Sequence, residues 1–307
     1  MSKILVIMGP TASGKSRLAL NAAKMHGGEI ISADSMQLYR GLEIGTAQPT
    51  DEEKQSVPHH LVGIWDISVR ADVFTFQSLA DAAIEDVKNK NNLAIIAGGT
   101  GLYLKNLLYG LDDMPGDREL RKQLDAEYDA PDKEESLKEK MAEVDPAALE
   151  KFQLCRRRLI RALEVKLLTG KSILELQSQS SPKLRYPDIY AIKLEVPPEE
   201  LAQKIAVRTK KMLQDGWIDE AKTAIGNGLL QTPTAHQALG YKIINEYLSG
   251  KISYDLLYEK LCAATRQYAR RQRTWFRHQH PEAVPMSVRE AEQFISQAED
   301  TLCIRHK

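Results

Sequence analysis

Short apolar runs alternate with stretches of helical periodicity along the first third of the chain. Residues 4–8, 29–33 and 93–97 are runs rich in aliphatic side chains, which predict buried strands, and residues 61–65 predict a further one. Residues 16–26 and 76–90 repeat apolar side chains at helical spacing, which predicts the helices between the strands. Strands that alternate with helices are typical of βαβ units, so we expect an α/β fold with a parallel sheet flanked by helices.

The pattern changes after this first part. Residues 112–145 are highly charged and poor in β-branched side chains, and residues 151–168 predict a basic helix. Residues 189–196 predict a strand that returns to the main sheet, and residues 198–214 and 254–276 predict two further helices. We therefore expect a core whose first part is residues 1–114, a mainly helical insertion domain at residues 115–186, and a second core part at residues 187–307 with a basic C-terminal helix.

Composition narrows the class of protein. The 307 residues include 42 Lys and Arg against 42 Asp and Glu, and this balance argues against a protein that coats nucleic acid without specificity. The three cysteines, Cys155, Cys262 and Cys303, are far apart, which argues against a zinc knuckle or a disulfide framework. No apolar run approaches the roughly 20 residues of a membrane span. We expect a cytoplasmic, soluble protein that acts as a monomer and has no membrane partner.

A glycine loop follows the first predicted strand and precedes the first predicted helix. Its sequence, Gly9-Pro10-Thr11-Ala12-Ser13-Gly14-Lys15-Ser16, matches the phosphate-binding pattern G-x-x-x-x-G-K-[ST]. Glycines let successive backbone N–H groups and a helix N-terminus surround an anion, Lys15 adds a positive charge, and Ser16 can ligate Mg²⁺. The motif predicts a P-loop NTPase-like core that binds a diphosphate or triphosphate, without pointing to ATP in particular.

An acidic residue is missing where P-loop NTPases usually hold Mg²⁺, at the end of a second apolar strand. Residues 93–97 instead end in Gly98-Gly99-Thr100-Gly101, which weakens the NTPase and kinase interpretations. The remaining carboxylate is Asp34, directly after the second strand. Because ligands collect at the carboxyl ends of parallel strands, we expect the loops at residues 9–16, 34–37 and 98–101 to share one crevice. There Asp34 could accept a proton, Gln37 could hydrogen-bond a base edge, and Thr100 could donate to a phosphate oxygen.

Two segments are basic and contain no acidic residue. The first carries five arginines interleaved with Tyr268, Trp275 and Phe276, and its arginines are Arg266, Arg270, Arg271, Arg273 and Arg277. The second carries Arg156, Arg157, Arg158 and Arg161. Guanidinium groups beside aromatic rings suit phosphates and stacked bases, although a solvated helix face with core aromatics is the plainer alternative. Two basic segments and one phosphate crevice indicate a polyanionic substrate. The His59-His60 pair predicts a structural role rather than a metal site.

Taken together, these segments resemble the tRNA dimethylallyltransferase (isopentenyl-tRNA transferase) family. The resemblance is carried by residues 9–16, 32–39, 44–47, 58–61, 97–103, 161–165, 240–242, 265–272 and 274–277. It implies transfer of a dimethylallyl group from dimethylallyl diphosphate, with Mg²⁺, to N6 of the adenosine 3′ of the anticodon in the tRNA anticodon stem-loop. It also implies that Asp34 is the general base and that Thr100, Lys15 and an arginine assist the leaving diphosphate. The implied tRNA contacts are Asp34, Ser35, Met36, Gln37, Thr100, Arg121, Arg157, Arg158, Leu159, Ile160, Arg161, Gly240, Tyr241 and Lys242, together with the arginines of the C-terminal basic helix.

The chain departs from the family pattern at two places. Phe152-Gln153-Leu154-Cys155 stands where His-Pro-Asn-Asp is usual, and Pro197 or Pro198 stands where an arginine usually follows the returning strand. The tRNA contacts of the insertion and the identity of the assisting arginine therefore stay open. Three other functions also stay open at this point: a prenyltransferase that acts on free AMP or ADP, a P-loop kinase, and a non-catalytic RNA-binding module.

Overall fold

The computed structural model describes residues 4–110, 114–179, 183–280 and 282–298. Cys303 and the outer ends of the two expected core parts, residues 1–3 and 299–307, lie outside the described residues. The chain divides into two compact units. The first, called the core unit below, is Met1–Leu108 with Tyr186–Lys307, and the second, called the helical unit, is Tyr109–Arg185.

One parallel sheet organises the core unit. Its six strands are β1 (Ile4–Met8), β2 (Gly28–Ser32), β3 (His59–His60), β4 (Leu93–Gly98), β5 (Ile189–Leu194) and β6 (Val284–Met286). They lie in the order β3-β2-β4-β1-β5-β6, and each neighbouring pair is parallel. The α/β fold with a parallel sheet is confirmed.

The strand predicted at residues 61–65 is wrong. The third strand is His59–His60, and beyond it only Trp65 forms an isolated bridge, to Tyr39. Leu61 and Gly63 have φ values of 61° and 59°, which an extended strand cannot contain. The apolar run therefore turns away from the sheet immediately after the two histidines.

The helices occur in three groups along the chain. The first part of the core unit contributes α1 (Lys15–His26), α2 (Glu43–Thr46), α3 (Asp51–Ser56), α4 (Val73–Asn89) and α5 (Gly101–Tyr109). The helical unit contributes α6 (Arg118–Tyr128), α7 (Glu134–Val144), α8 (Pro146–Phe152), α9 (Arg156–Thr169) and α10 (Ile173–Gln179). The last part of the core unit contributes α11 (Pro198–Gln214), α12 (Trp217–Gly226), α13 (Tyr241–Leu248), α14 (Tyr254–Gln279) and α15 (Val288–Gln297). None of the helices in the described part of the chain combines the length and the apolar composition of a membrane span.

The side chains of β1, which lies in the interior of the sheet, are buried on both faces. All five residues of β1 are buried, and Leu5 and Ile7 on one face pack with Leu18 of α1 and Ile295 of α15. A strand that is buried on both faces needs a continuous apolar run, which is the pattern at residues 4–8. The core therefore holds the carboxyl end of β1, and with it the glycine loop, in a fixed position.

A second apolar cluster lies around α12, α13 and α14 of the core unit. Trp217 and Tyr241 are buried there with ring planes at 81°, and a Cβ on Gly45 would lie 2.3 Å from both Trp217 Nε1 and the Tyr241 hydroxyl oxygen. The Glu220 carboxylate accepts hydrogen bonds from the Ile44 and Gly45 N–H groups at 2.6 and 2.8 Å. This cluster anchors the segment that follows Asp34.

The helical unit has its own core, formed where α6, α7, α8, α9 and α10 meet. The single helix predicted at residues 151–168 is wrong, because α8 ends at Phe152 and α9 begins at Arg156. Cys155 between them is extended, with φ −140° and ψ 88°. Inside the unit the carboxylate of Glu164 is 3% exposed and pairs with Arg121 and Arg161.

Candidate active site

Three loops meet at the carboxyl edge of the sheet, each at the end of a strand. The Thr100 N–H donates to the carbonyl of Ala33 at 3.2 Å, and the Thr100 hydroxyl accepts from the N–H of Ser35 at 3.0 Å. β1 and β4 are paired up to Met8 and Gly98, the residues that precede the other two loops. The structure thus brings the loops of residues 9–16, 34–37 and 98–101 together, as their positions after parallel strands predict.

The glycine loop has the conformation of an anion cradle. Ala12 and Gly14 have φ values of 63° and 95°, and α1 begins at Lys15 without a side-chain cap on its first N–H groups. Backbone N–H groups in such a turn, together with a helix N-terminus, attract negative charge. The hydroxyl-bearing Ser16 is exposed at the start of α1. The loop can therefore bind phosphate oxygens through its backbone.

Lys15 lies inside this cradle with little solvent around it. Its ammonium donates to the carbonyl of Pro10 at 3.3 Å. The pKa of Lys15 is lowered to about 8, chiefly because burial disfavours the charged form; the charge of Asp34 opposes this shift, and the nearby Arg208 adds to it. The cradle is therefore short of negative charge, which is the condition that favours an anionic ligand.

Arg208 is a site residue that the sequence did not reveal. It lies in α11, and its Nη1 donates to the Thr11 hydroxyl at 3.3 Å. Burial lowers the pKa of Arg208, and the charge of Asp34 raises it. A signal was available, because Arg208 follows Leu201 and Ile205 on the buried stripe of an amphipathic helix, where a charged residue is unusual. This arginine reaches the phosphate loop from a helix remote in sequence.

Asp34 is close enough to both cations, and to Tyr268 of α14, for its charge to influence their pKa values. Its Oδ1 accepts from the Met36 N–H at 3.0 Å, which orients the carboxylate. Burial raises the pKa of Tyr268 in α14, and the charge of Asp34 raises it further, so this phenol keeps its proton at neutral pH. Asp34, Lys15, Arg208 and Thr100 thus form one constellation of a carboxylate, two cations and a hydroxyl.

Gln272 of α14 is a further site residue that sequence reasoning missed. Its side-chain amide is 6% exposed and bridges two of the loops. The Thr11 N–H donates to its Oε1, and its Nε2 donates to the Gly99 carbonyl, both at 2.8 Å. The basic helix therefore contacts the crevice directly.

The side-chain amide of Gln37 makes three hydrogen bonds within the protein. Its Nε2 donates to the carbonyls of Thr46 and Ala47 at 3.2 and 2.9 Å, and its Oε1 accepts from the Ser32 hydroxyl at 2.8 Å. Both amide protons have partners inside the protein in this structure, and the expected hydrogen bond from Gln37 to a base edge stays a prediction. The side chain instead fixes the loop that carries Asp34.

The expected tRNA contacts of the core unit separate into exposed and buried side chains. Arg266, Arg270, Arg271 and Arg277 are exposed along α14, and Arg273 is half-buried. Arg273 and Arg277 line a cavity of about 460 Å³ together with Pro10 of the glycine loop. Lys242 is exposed.

Gly240 has a φ of 99° and closely contacts Trp217, and the Tyr241 hydroxyl donates to Glu220 at 2.7 Å inside the core. Because the Tyr241 side chain is buried, the expected tRNA contact of this residue stays a prediction that would involve its backbone.

The expected contacts of the helical unit separate in the same way. Arg157 and Arg158 are exposed at the start of α9. Arg121 and Arg161 both pair with Glu164. Burial works to raise the pKa of this carboxyl group, but its hydrogen bonds to the two guanidiniums outweigh burial and hold the pKa below its usual value. Leu159 and Ile160 are 1% and 0% exposed, since they lie on the apolar face of α9. Their side chains belong to the core, so the expected tRNA contact of these two residues stays a prediction that would involve their backbone.

A group of possible metal ligands, Glu29, His60 and Asp86, lies away from the crevice, near the start of β2. The Lys90 ammonium is 3.3 Å from Glu29 Oε2 and 2.7 Å from Asp86 Oδ2, and His60 Nε2 is 2.6 Å from Glu29 Oε2. Lysine and histidine thus already satisfy this carboxylate pair, and we assign the group a structural role. His59 likewise has a backbone partner, its Nδ1 lying 2.8 Å from the Val57 carbonyl oxygen.

Fold and site together define an α/β enzyme in which a phosphate loop and the carboxylate of Asp34 share one crevice, as expected of a group transferase that uses a diphosphate leaving group. The IPP transferase family model matches residues 37–279, and the chain belongs to this family. The resemblance seen in the sequence is thereby confirmed.

Individual relatives agree with this assignment. The chain is 41% identical to tRNA dimethylallyltransferase 1 of Citrifermentans bemidjiense over 89% of both chains. It is 42% identical to the tRNA dimethylallyltransferase of Acetivibrio thermocellus over 90% of this chain and 89% of that one. Among solved structures, the tRNA isopentenylpyrophosphate transferase of Bacillus halodurans superposes with a TM-score of 0.70 at 33% identity, covering 99% and 98% of the two chains. A eukaryotic dimethylallyltransferase acting on tRNA superposes with a TM-score of 0.79 at 27% identity, covering 98% of this chain and 77% of that one.

Proposed function

We propose that this protein transfers a dimethylallyl group from dimethylallyl diphosphate to N6 of the adenosine 3′ of the anticodon in tRNA. The observation that carries the proposal is the position of Asp34 beside the cationic cradle of Lys15 and Arg208. The crevice thereby provides an anion-binding site for a leaving group and, next to it, a base for an incoming nucleophile. The names of the relatives support the same reaction.

The diphosphate end of the donor is bound by the glycine loop. Backbone N–H groups, the Lys15 ammonium and the Arg208 guanidinium neutralise the negative charge that grows on the diphosphate as the allylic C–O bond breaks. Thr100 adds a hydroxyl at the edge of the crevice. Ser16 offers an exposed hydroxyl oxygen beside the cradle, which suits Mg²⁺ because this cation prefers oxygen ligands. When bound there, Mg²⁺ would add positive charge against the diphosphate.

The acceptor end of the crevice contains Asp34. An adenine N6 amine is a poor nucleophile, because its lone pair is delocalised into the ring. As the N–C bond to the dimethylallyl group forms, the Asp34 carboxylate takes the N6 proton and the diphosphate leaves with the electrons of the C–O bond. General base catalysis of this kind contributes roughly 10²–10⁴-fold to a rate.

The basic segments provide the surface for a polyanionic acceptor. The pairs Arg266/Arg270 and Arg273/Arg277 are one helical turn apart in α14, and such like-charged pairs cost stability unless an anion lies near them. In the helical unit, the exposed Arg157 and Arg158 lie in the first turn of α9, where a positive charge opposes the helix dipole. Phosphates of tRNA would relieve both unfavourable arrangements.

The test is a product analysis. We expect the protein, dimethylallyl diphosphate and Mg²⁺ to convert a tRNA anticodon stem-loop to a product heavier by one prenyl group on the adenosine, as measured by nucleoside mass spectrometry. AMP and ADP serve as alternative acceptors, and a matched stem-loop with guanosine in place of that adenosine serves as the control. Modification of AMP at a rate equal to that of the stem-loop would contradict the assignment of tRNA as the acceptor.

A further inference from the structure

A buried amide stands out in α14, the helix that carries the C-terminal arginine cluster. Gln272 is flanked by Arg271 and Arg273, yet only 6% of it is exposed to solvent. A buried primary amide costs free energy unless its donors and acceptor find partners. Its 2.8 Å hydrogen bonds go to two loops of the crevice, which are remote in sequence, and within its own helix it also contacts the Tyr268 side chain.

The direction of the two hydrogen bonds fixes the orientation of the amide. Oε1 accepts from the N–H of Thr11, and Nε2 donates to the carbonyl of Gly99, each at 2.8 Å. Close approach is possible because Gly99 has no side chain, since a Cβ there would lie 2.4 Å from Nε2. Neither a carboxylate nor a thioether of the same length can make both bonds at neutral pH.

Both partners of Gln272 adjoin groups of the proposed catalytic constellation. Thr11 belongs to the glycine loop, and its hydroxyl accepts a hydrogen bond from Arg208 at 3.3 Å, so this residue is held from two helices. Gly99 directly precedes Thr100, whose own N–H is bonded to the carbonyl of Ala33 next to Asp34. The amide of Gln272 therefore sets the spacing between the diphosphate cradle and the loops that carry Thr100 and Asp34.

We propose that Gln272 is a positioning residue for prenyl transfer: its amide bonds the phosphate loop to the Thr100 loop and ties both to the arginine-bearing helix α14. It does not contact the reacting atoms and acts through Thr11 and Gly99. The inference rests on the proposed function and deepens it, because it assigns the alignment of the two halves of the crevice to one side chain.

Two variants of Gln272 test this role, and a third substitution on the same helix is the control. Gln272→Glu keeps an acceptor for Thr11 but opposes a carboxylate to the Gly99 carbonyl, and Gln272→Met removes both bonds at similar length. Misplacement of reacting groups on the scale of an ångström costs about 10²-fold in rate. We expect kcat/KM for dimethylallyl diphosphate to fall about 10²-fold in both variants near pH 8, with the KM for the tRNA stem-loop within about twofold of the wild type. Gln267→Glu adds the same charge at an exposed position of α14 and should leave kcat/KM for the diphosphate within about twofold.

The pH dependence separates positioning from general damage. Burial raises the pKa of a carboxyl group, and the protonated acid can donate to Gly99 as the amide does. The factor by which kcat/KM of Gln272→Glu lies below that of the wild type should therefore shrink at least about fivefold between pH 8 and about pH 6. The corresponding factor for Gln272→Met should stay constant. Taking the ratio to the wild type cancels the titration of the substrate, which is common to all the variants.

Two results would overturn the inference: Gln272→Met with kcat/KM within twofold of the wild type, or a Gln272→Glu deficit that does not change with pH. If the Met variant fails to fold, the pH profile of the Glu variant still decides. The wild-type reaction in the same assay keeps the two proposals apart. A wild type that forms no prenylated stem-loop refutes the proposed function, whereas an active wild type with insensitive Gln272 variants refutes only the role of this residue.

Discussion

The lowered pKa of Lys15 predicts that donor binding takes up a proton. Burial holds the pKa near 8 in the free protein, because the charge of Asp34 offsets only part of the lost hydration. A bound diphosphate adds further negative charge and returns the pKa towards its ordinary value of 10.5 or above. The charged form is thus favoured in the complex, so affinity is highest below about pH 8 and decreases as the pH rises through this value.

The size of the effect follows from the titration of one group. With a pKa of about 8, Lys15 is charged in roughly nine-tenths of molecules at pH 7 and in roughly one-tenth at pH 9. The association constant for dimethylallyl diphosphate should therefore fall roughly tenfold between these values, and binding at pH 8 should take up about half a proton. The terminal phosphate of the ligand loses its own second proton near pH 6, which is outside this range.

Titration calorimetry in buffers of different ionisation enthalpy measures the proton uptake directly. Lys15→Met is the matched control, since it preserves the length of the side chain but cannot titrate, and it should show weak binding without proton uptake between pH 7 and pH 9. Affinity that is independent of pH in the wild type, with no protons taken up at pH 8, would show that Lys15 is fully charged in the free protein. The proposed desolvation of the cradle would then be wrong.

Three substitutions test other parts of the structure. Asp34→Asn should lower kcat roughly 10²–10⁴-fold, as measured by single-turnover kinetics, and should leave the tRNA affinity from filter binding within a few-fold of the wild type. Undiminished turnover in this variant would refute the assignment of Asp34 as the base. Glu164→Gln removes a carboxylate that pairs with Arg121 in the helical unit, and because the guanidinium is 31% exposed and can rehydrate we expect a loss of about 1–3 kcal/mol in urea unfolding. Because the pKa of Glu164 is lowered in the folded protein, its contribution to the free energy of unfolding is present above the pKa of the unfolded chain and should disappear as the pH falls. A difference in unfolding free energy between the wild type and Glu164→Gln that did not shrink in acid would contradict the ion pair. Gly98→Ala would place a Cβ 2.2 Å from the carbonyl oxygen of Ala33, so we expect it to lower the free energy of unfolding by about 1–3 kcal/mol. A thermal unfolding midpoint equal to that of the wild type would contradict this prediction.

Local signals were sufficient for the central strands and the glycine loop. β1 is predictable because a strand covered on both faces must be apolar throughout, and the loop is predictable because its glycines and lysine follow one another directly. The helix α11 was predicted with its observed limits, Pro198–Gln214, since proline at its first position marks the start.

The errors arose where long-range packing overrides local preference. Residues 61–65 have the composition of a strand, yet the positive φ of Leu61 turns the chain out of the sheet. The basic helix of residues 151–168 was predicted without a break, because no glycine or proline marks the turn between Phe152 and Arg156. Buried positions such as Ile160 and Tyr241 cannot be separated from exposed neighbours by a motif match alone.

By itself the sequence determined the class of fold, the anion cradle and the proximity of Asp34 to it, since each depends on neighbours in the chain and on the rule that parallel strands end at one edge. Only the tertiary structure decided that Arg208 and Gln272 complete the crevice, and that the amide of Gln37 is used within the protein. These residues act through partners between five and 261 positions away along the chain, and the partners are set by how the helices and loops pack on the sheet.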